Sequence, residues 1–173
     1  MKTIRKKTCL LLLLILGFSI VVNAQKKKKA DKDTEKWRYE IECVSVGAQG
    51  SYLIKVWSYS KKSTIAINQA KKNAVHGIIF QGFTGSGSGC TQKPLTNNPA
   101  LEQEKEVFFK DFFADGGKYM KFVSVTGDGN INAGDIQKIG KEYKIGVVVS
   151  VSKDLLRKDL EAAGIVKSLG SGF

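Results

Sequence analysis

Histidine occurs once in this chain, at position 76. An imidazole works as a general base only beside an orienting acid and a reacting hydroxyl or thiol. No carboxylate pair, serine motif or metal-ligand spacing accompanies it. His76 falls on an alanine-rich stretch among apolar positions, the setting of a packed helical histidine. The expectation is no catalytic residue, no cofactor and no enzyme. A second candidate is Gly85-Ser86-Gly87-Ser88-Gly89, which has the composition of a phosphate-cradling loop. Such a loop needs a strand before it, a helix start after it, and a lysine and a hydroxyl at fixed spacing. Here a helix precedes it, and Cys90-Thr91 stands where Lys-Ser is required.

The run from Thr126 to Asp135 has the residue types of half a calcium loop. With Gly129 as the sharp-turn glycine, Asp128, Asn132 and Asp135 fall on ligand positions and Ile131 on the apolar one. The two earlier ligand positions are then Ser124 and Thr126, and a strand precedes where a helix is required. Aligned instead on Asp128, Asn130 and Asn132, the glycine becomes Ala133 and the final acid Ile139. Asn, Asp and Gly are also what ordinary turns prefer. The expectation is no metal, with Asp128, Asn132 and Asp135 as the calcium candidates. Loops 82–90 and 128–135 together define an alternative reading, a small-ligand or calcium-binding module.

The first residues carry the clearest pattern. Lys2, Arg5, Lys6 and Lys7 form a basic head, Cys9 to Val22 an apolar stretch, and Val22-Asn23-Ala24 a small-residue end. This reads as a secretory signal peptide cleaved after Ala24. The apolar run falls short of the ~20 residues of a membrane span, so no transmembrane helix is expected after cleavage. Removing 1–24 takes four positive charges from a net +12 and leaves +8. Much of that excess sits in Lys26 to Lys29, inside a basic, uninterleaved stretch over 25–36 that reads as a disordered leader. Export disfavours nucleic acid as a partner and points to a periplasmic or secreted location. It also permits disulfides. Cys43 and Cys90 are the two cysteines left, so one bridge, closing 46 residues, can form.

Residues 37–173 read as a single α+β domain. Tyr39–Val46 and Tyr52–Tyr59 are strands joined by a Gly-rich hairpin, with Tyr39, Ile41 and Cys43 on one face and Glu40 and Glu42 on the other. A helix follows, capped by Ser63 or Thr64, with Ala66, Ala70 and Ala74 on the stripe that packs on the sheet. Lys71, Lys72 and Asn73 should face solvent. Residues 81–98, rich in glycine and hydroxyls, read as a flexible loop. Asn98-Pro99 then starts a helix running to about Ala114, carrying Phe108, Phe109, Phe112 and Phe113. That band should dock on the core; if part stays exposed, it is a partner contact. Met120–Val125 and Tyr143–Val151 are strands, and Ser152 caps a last helix with Leu156 and Leu160. The order is β-β-α-(loop)-α-β-β-α, with an antiparallel or mixed sheet of about four strands and the alanine-rich helix on one face.

The succession of Leu53–Tyr59, the Ala66/Ala70/Ala74 helix, an insertion, Tyr143–Val151 and then Leu156-Arg157 and Leu160 resembles the N-terminal α/β domain of the flagellar assembly protein T family and related envelope lipoproteins. That resemblance implies an alanine-rich helix on a sheet and a structural or assembly role in the envelope. This chain departs from it in its Gly-rich loop, its Phe-rich helix and its lack of a lipid-attachment cysteine, and no site residue carries over. The expected function is an exported, non-catalytic envelope or secreted protein. Its partner would be a protein, another envelope component or a second copy of itself.

Overall fold

The computed structural model describes residues 37–62, 65–85 and 89–168. The proposed signal peptide and leader, the Ser63 and Thr64 cap, Ser86–Ser88 and the last five residues lie outside them. Strand β1 (Tyr39–Val46) and strand β2 (Ser51–Ser60) form the antiparallel hairpin, from Tyr39 opposite Ser58 to Val46 opposite Tyr52. Gln49 and Gly50 turn the chain with positive φ. The register slips at Val44, between Cys43 and Ser45, a bulge that twists this outer strand.

The centre of the sheet is β2 against β7 (Glu142–Ser152), paired without interruption from Ser51–Ser152 to Ser60–Tyr143. On the far side of β7 two short strands share one edge. β5 (Val123–Val125) pairs with Val149–Val151, and β6 (Ile136–Ile139) with Glu142–Ile145. The sheet therefore has five strands, all antiparallel, in the order β1-β2-β7-β5 with β6 beside β5. Alternation dictates this arrangement: Ile145, Val147, Val149 and Val151 are buried on the face that also carries Ile54 and Val56.

Helix α1 (Ala66–Phe80) lies across that apolar face, with Ala66, Ala70 and Ala74 fully buried. Small side chains let its axis approach the strands. At Gly77 the approach is tight: a Cβ there would stand 2.2 Å from Ile41 Cδ1. Lys72 and Asn73 are buried rather than solvent-facing. α1 is enclosed by more than the sheet, and Asn73 donates from Nδ2 to Ser58 Oγ at 2.9 Å on the sheet's inner face.

The 81–98 segment is organised by a two-stranded ladder, β3 (Phe83–Thr84) with β4 (Thr91–Gln92). Leu95 and Thr96 then donate backbone bonds to the Ile78 and Ile79 carbonyls at the end of α1. The expected long helix is two short ones, α2 (Leu101–Glu104) and α3 (Glu106–Phe112), broken at Lys105. Both pieces reach the core, α2 through Leu101 and α3 through Phe109 and Phe112. Met120 and Phe122, expected on a strand, belong to a 3-10 turn over Lys118–Phe122 that precedes β5. Its buried residues are Tyr119 and Phe122, three apart, the repeat of such a turn. Helix α4 (Lys153–Ala162) follows β7 directly and buries Leu156 and Leu160. One contiguous core joins the helices, the 3-10 turn and the strands other than β4 and β6, which contribute no residue to it.

Candidate functional site

His76 projects from the last two turns of α1 into a polar cluster that three separate stretches complete. The Tyr39 hydroxyl lies 2.7 Å from its Nδ1, and its Nε2 lies 3.3 Å from Glu102 Oε2. Trp37 covers the ring, stacked at 3.7 Å and 15°, and donates from its indole nitrogen to Glu102 Oε1 at 2.8 Å. Phe80 packs at 4.7 Å and Phe113 at 6.0 Å. His76 is 4% exposed. β1 supplies Tyr39, α1 supplies His76 and α2 supplies Glu102.

The protons follow from the partners. The phenol donates to Nδ1, so Nε2 carries the hydrogen and donates to the carboxylate: a neutral imidazole in a single tautomer. Burial pushes His76 below its ordinary value of 6.5, against the pull of Glu102. Burial, reinforced by the Glu102 charge, drives the Tyr39 phenol far above its ordinary range. Burial works to raise Glu102 as well, but the donors from His76 and Trp37 outweigh it and hold the carboxyl below its ordinary value.

A tyrosine, histidine and carboxylate in a row have the composition of a proton relay. Here each works against transfer: the phenol resists ionisation, the imidazole resists protonation, and Trp37, Phe80 and Phe113 pack around the imidazole. The arrangement joins the start of β1 to α1 and α2. His76 was the one member visible as a candidate in the sequence. Trp37, Tyr39 and Glu102 lie 26 to 39 positions away from it, and no local pattern marks them.

The sequence candidates fall elsewhere. Cys43 and Cys90 come together, with sulfurs 2.06 Å and Cα atoms 5.6 Å apart, tying the β3–β4 ladder to β1. Gly85 lies against this pair, its Cβ position 3.1 Å from the Cβ atoms of both cysteines. Asp135 is nearly buried and accepts from Lys55 Nζ at 2.8 Å, so its charge is matched by an ammonium. Asp128 and Asn132 are exposed. Among the described residues no group of three or more His, Cys, Asp or Glu side chains is placed to hold a metal ion. Phe109, Phe112 and Phe113 are buried in the core and offer no surface to a partner. Phe108 is half-buried against Phe109 and Phe112.

Two further features had no sequence signal. On the outer sheet face, Lys55 and Lys144 flank Trp57 at 5.5 and 5.3 Å, and Arg38 lies over Tyr59 at 4.2 Å. Lys144 and the Tyr59 hydroxyl both reach Glu40, at 2.7 and 2.8 Å. At one end of the helical layer a cleft of about 730 Å³ opens between segment 95–98, Leu101, Arg157 of α4 and the chain after α4.

These features define an α+β domain with one helical layer on an antiparallel sheet, a cysteine pair at bonding distance and a closed aromatic–polar cluster. Among the described residues no helix is long and apolar enough to cross a membrane. No family model matches this chain, and neither does any curated protein or solved structure.

Proposed function

We propose that this chain is an exported, non-catalytic binding or structural module of the periplasm or the extracellular medium, released by cleavage after Ala24. The observation that carries the reading is the closure of the His76 cluster. Among the described residues, the constellation with the composition of a catalytic site has its imidazole covered by Trp37 and spends its hydrogen bonds on holding β1, α1 and α2 together. The cysteine pair fits an oxidising compartment, and the amino-terminal pattern supplies the route to it. The resemblance to envelope assembly domains agrees with such a role. The surface suits protein contacts: cations alternate with carboxylates and aromatic rings on the outer sheet face, and single-sign fields of the kind nucleic acid requires do not form there.

Crosslinking in the intact envelope, followed by purification of the mature chain, tests this. The expected result is a reproducible partner, or the chain itself, captured equally well by wild type and by His76→Gln. Failure to capture either one, or an enzymatic turnover that His76→Gln abolishes, would overturn the proposal.

A further inference from the structure

The geometry points to the cleft beside α4 as a binding site for a small amphiphile with a single carboxylate and an unbranched aliphatic tail. Its floor is Leu95, Leu101, Ile165 and Val166, each buried in the fold yet lining the opening. Two of its walls are held in place by backbone bonds. The Leu95 and Thr96 amides bond to the end of α1, and the chain after α4 returns through the Ile165 amide to the Leu160 carbonyl at 2.9 Å. A cleft whose walls are fixed by backbone bonds costs little ordering when it is filled, and about 730 Å³ lies within the ~300–1,000 Å³ of small-ligand sites.

The lining also selects the ligand. Among the described residues its charged side chains are Arg157 and Lys167, and none of them brings a carboxylate to the lining. Arg157 is held in place from two sides: Nε donates to Glu161 Oε1 at 2.8 Å, and Nη2 reaches the Lys167 carbonyl at 3.5 Å. Neither bond uses Nη1. Glu161 offsets part of the guanidinium charge, so the site carries an excess suited to a monoanion rather than to a phosphate dianion. Among the described residues no aromatic ring lines the cleft, so they offer no face on which a nucleobase or sugar could stack. Leucine, isoleucine and valine side chains suit an alkyl chain.

Calorimetry and amide-shift mapping on the mature chain, with decanoate, decanol and decyltrimethylammonium below their micellar concentrations, test the assignment. Decanoate should bind one to one, about tenfold or more tighter than either analogue, with shifts centred on 95–101 and 165–168. Arg157→Gln and Lys167→Gln should each weaken decanoate several-fold while decanol binding and the circular dichroism stay unchanged. No binding, equal binding of the three amphiphiles, or shifts centred elsewhere would overturn it. So would a gain of about tenfold on replacing Leu169 and Phe173 by serine, since the chain's own last residues would then be the occupant.

Discussion

His76 is the residue on which the start of β1, α1 and α2 converge, and its protonation has a definite sign. Burial lowers its pKa in the folded state below the ordinary 6.5 of the unfolded chain. Above about pH 6.5 both states are neutral, and the cluster contributes its full stability. As pH falls through 6.5 and on through the lowered folded value, the unfolded chain takes up protons first and stability is lost. Glu102, held below its ordinary 4.5, adds a separate loss at more acidic pH. Chemical denaturation at pH 7.5, 6.5 and 5.5 should therefore show stability falling across this window, and His76→Gln should flatten that dependence. Tyr39→Phe removes the donor to Nδ1 at constant shape. It should cost about 1–3 kcal/mol at pH 7.5, the penalty for a buried acceptor left without a partner. A Tyr39→Phe protein as stable as wild type would show that the hydroxyl bond contributes nothing.

At the scale of elements, what was legible depended on whether a pattern was local. The alternation in Tyr143–Val151 and the alanine stripe of α1 mark β7 and the helix that covers it, because a single buried face imposes a single period. The α1 polar residues were misplaced for the opposite reason. Asn73 and Lys72 read as solvent-facing, but only the fold shows that Ser58 waits opposite Asn73. The break at Lys105 was hidden as well, since no glycine or proline marks it in the sequence. Two element-scale contacts can be tested. Gly77→Ala places a methyl against Ile41 Cδ1 and should cost about 1–3 kcal/mol by overpacking, most of it restored by adding Ile41→Val, as a double-mutant cycle would show. Replacing Cys43 and Cys90 by serine frees a ladder tied across 47 positions. In the chain-entropy model this should lower the unfolding free energy by about 3–4 kcal/mol, seen as a shifted denaturant midpoint that reductant reproduces in the wild type.

For the whole molecule the question is whether these parts open separately or together. A single core links the sheet, the helices and the 3-10 turn, which favours one cooperative transition. The His76 cluster, by contrast, sits where β1 begins, and locally opened states are drawn from segments with few such anchors. The two tryptophans of the chain lie on opposite sides of the sheet and can separate the cases. Trp37 stacks on His76, so protonating the imidazole should quench it. Trp57 lies on the outer face, its ring edge against Gly146 and Lys55 and Lys144 beside it, and it has no contact with the cluster. With Trp57→Phe, leaving Trp37, emission should fall as pH drops through the lowered folded value of His76, below 6.5, before circular dichroism changes. With Trp37→Phe, leaving Trp57, emission should stay level until the whole domain unfolds. Coincident changes in both variants would mean that the cluster has no transition of its own, and that β1 is released only when the entire sheet is lost.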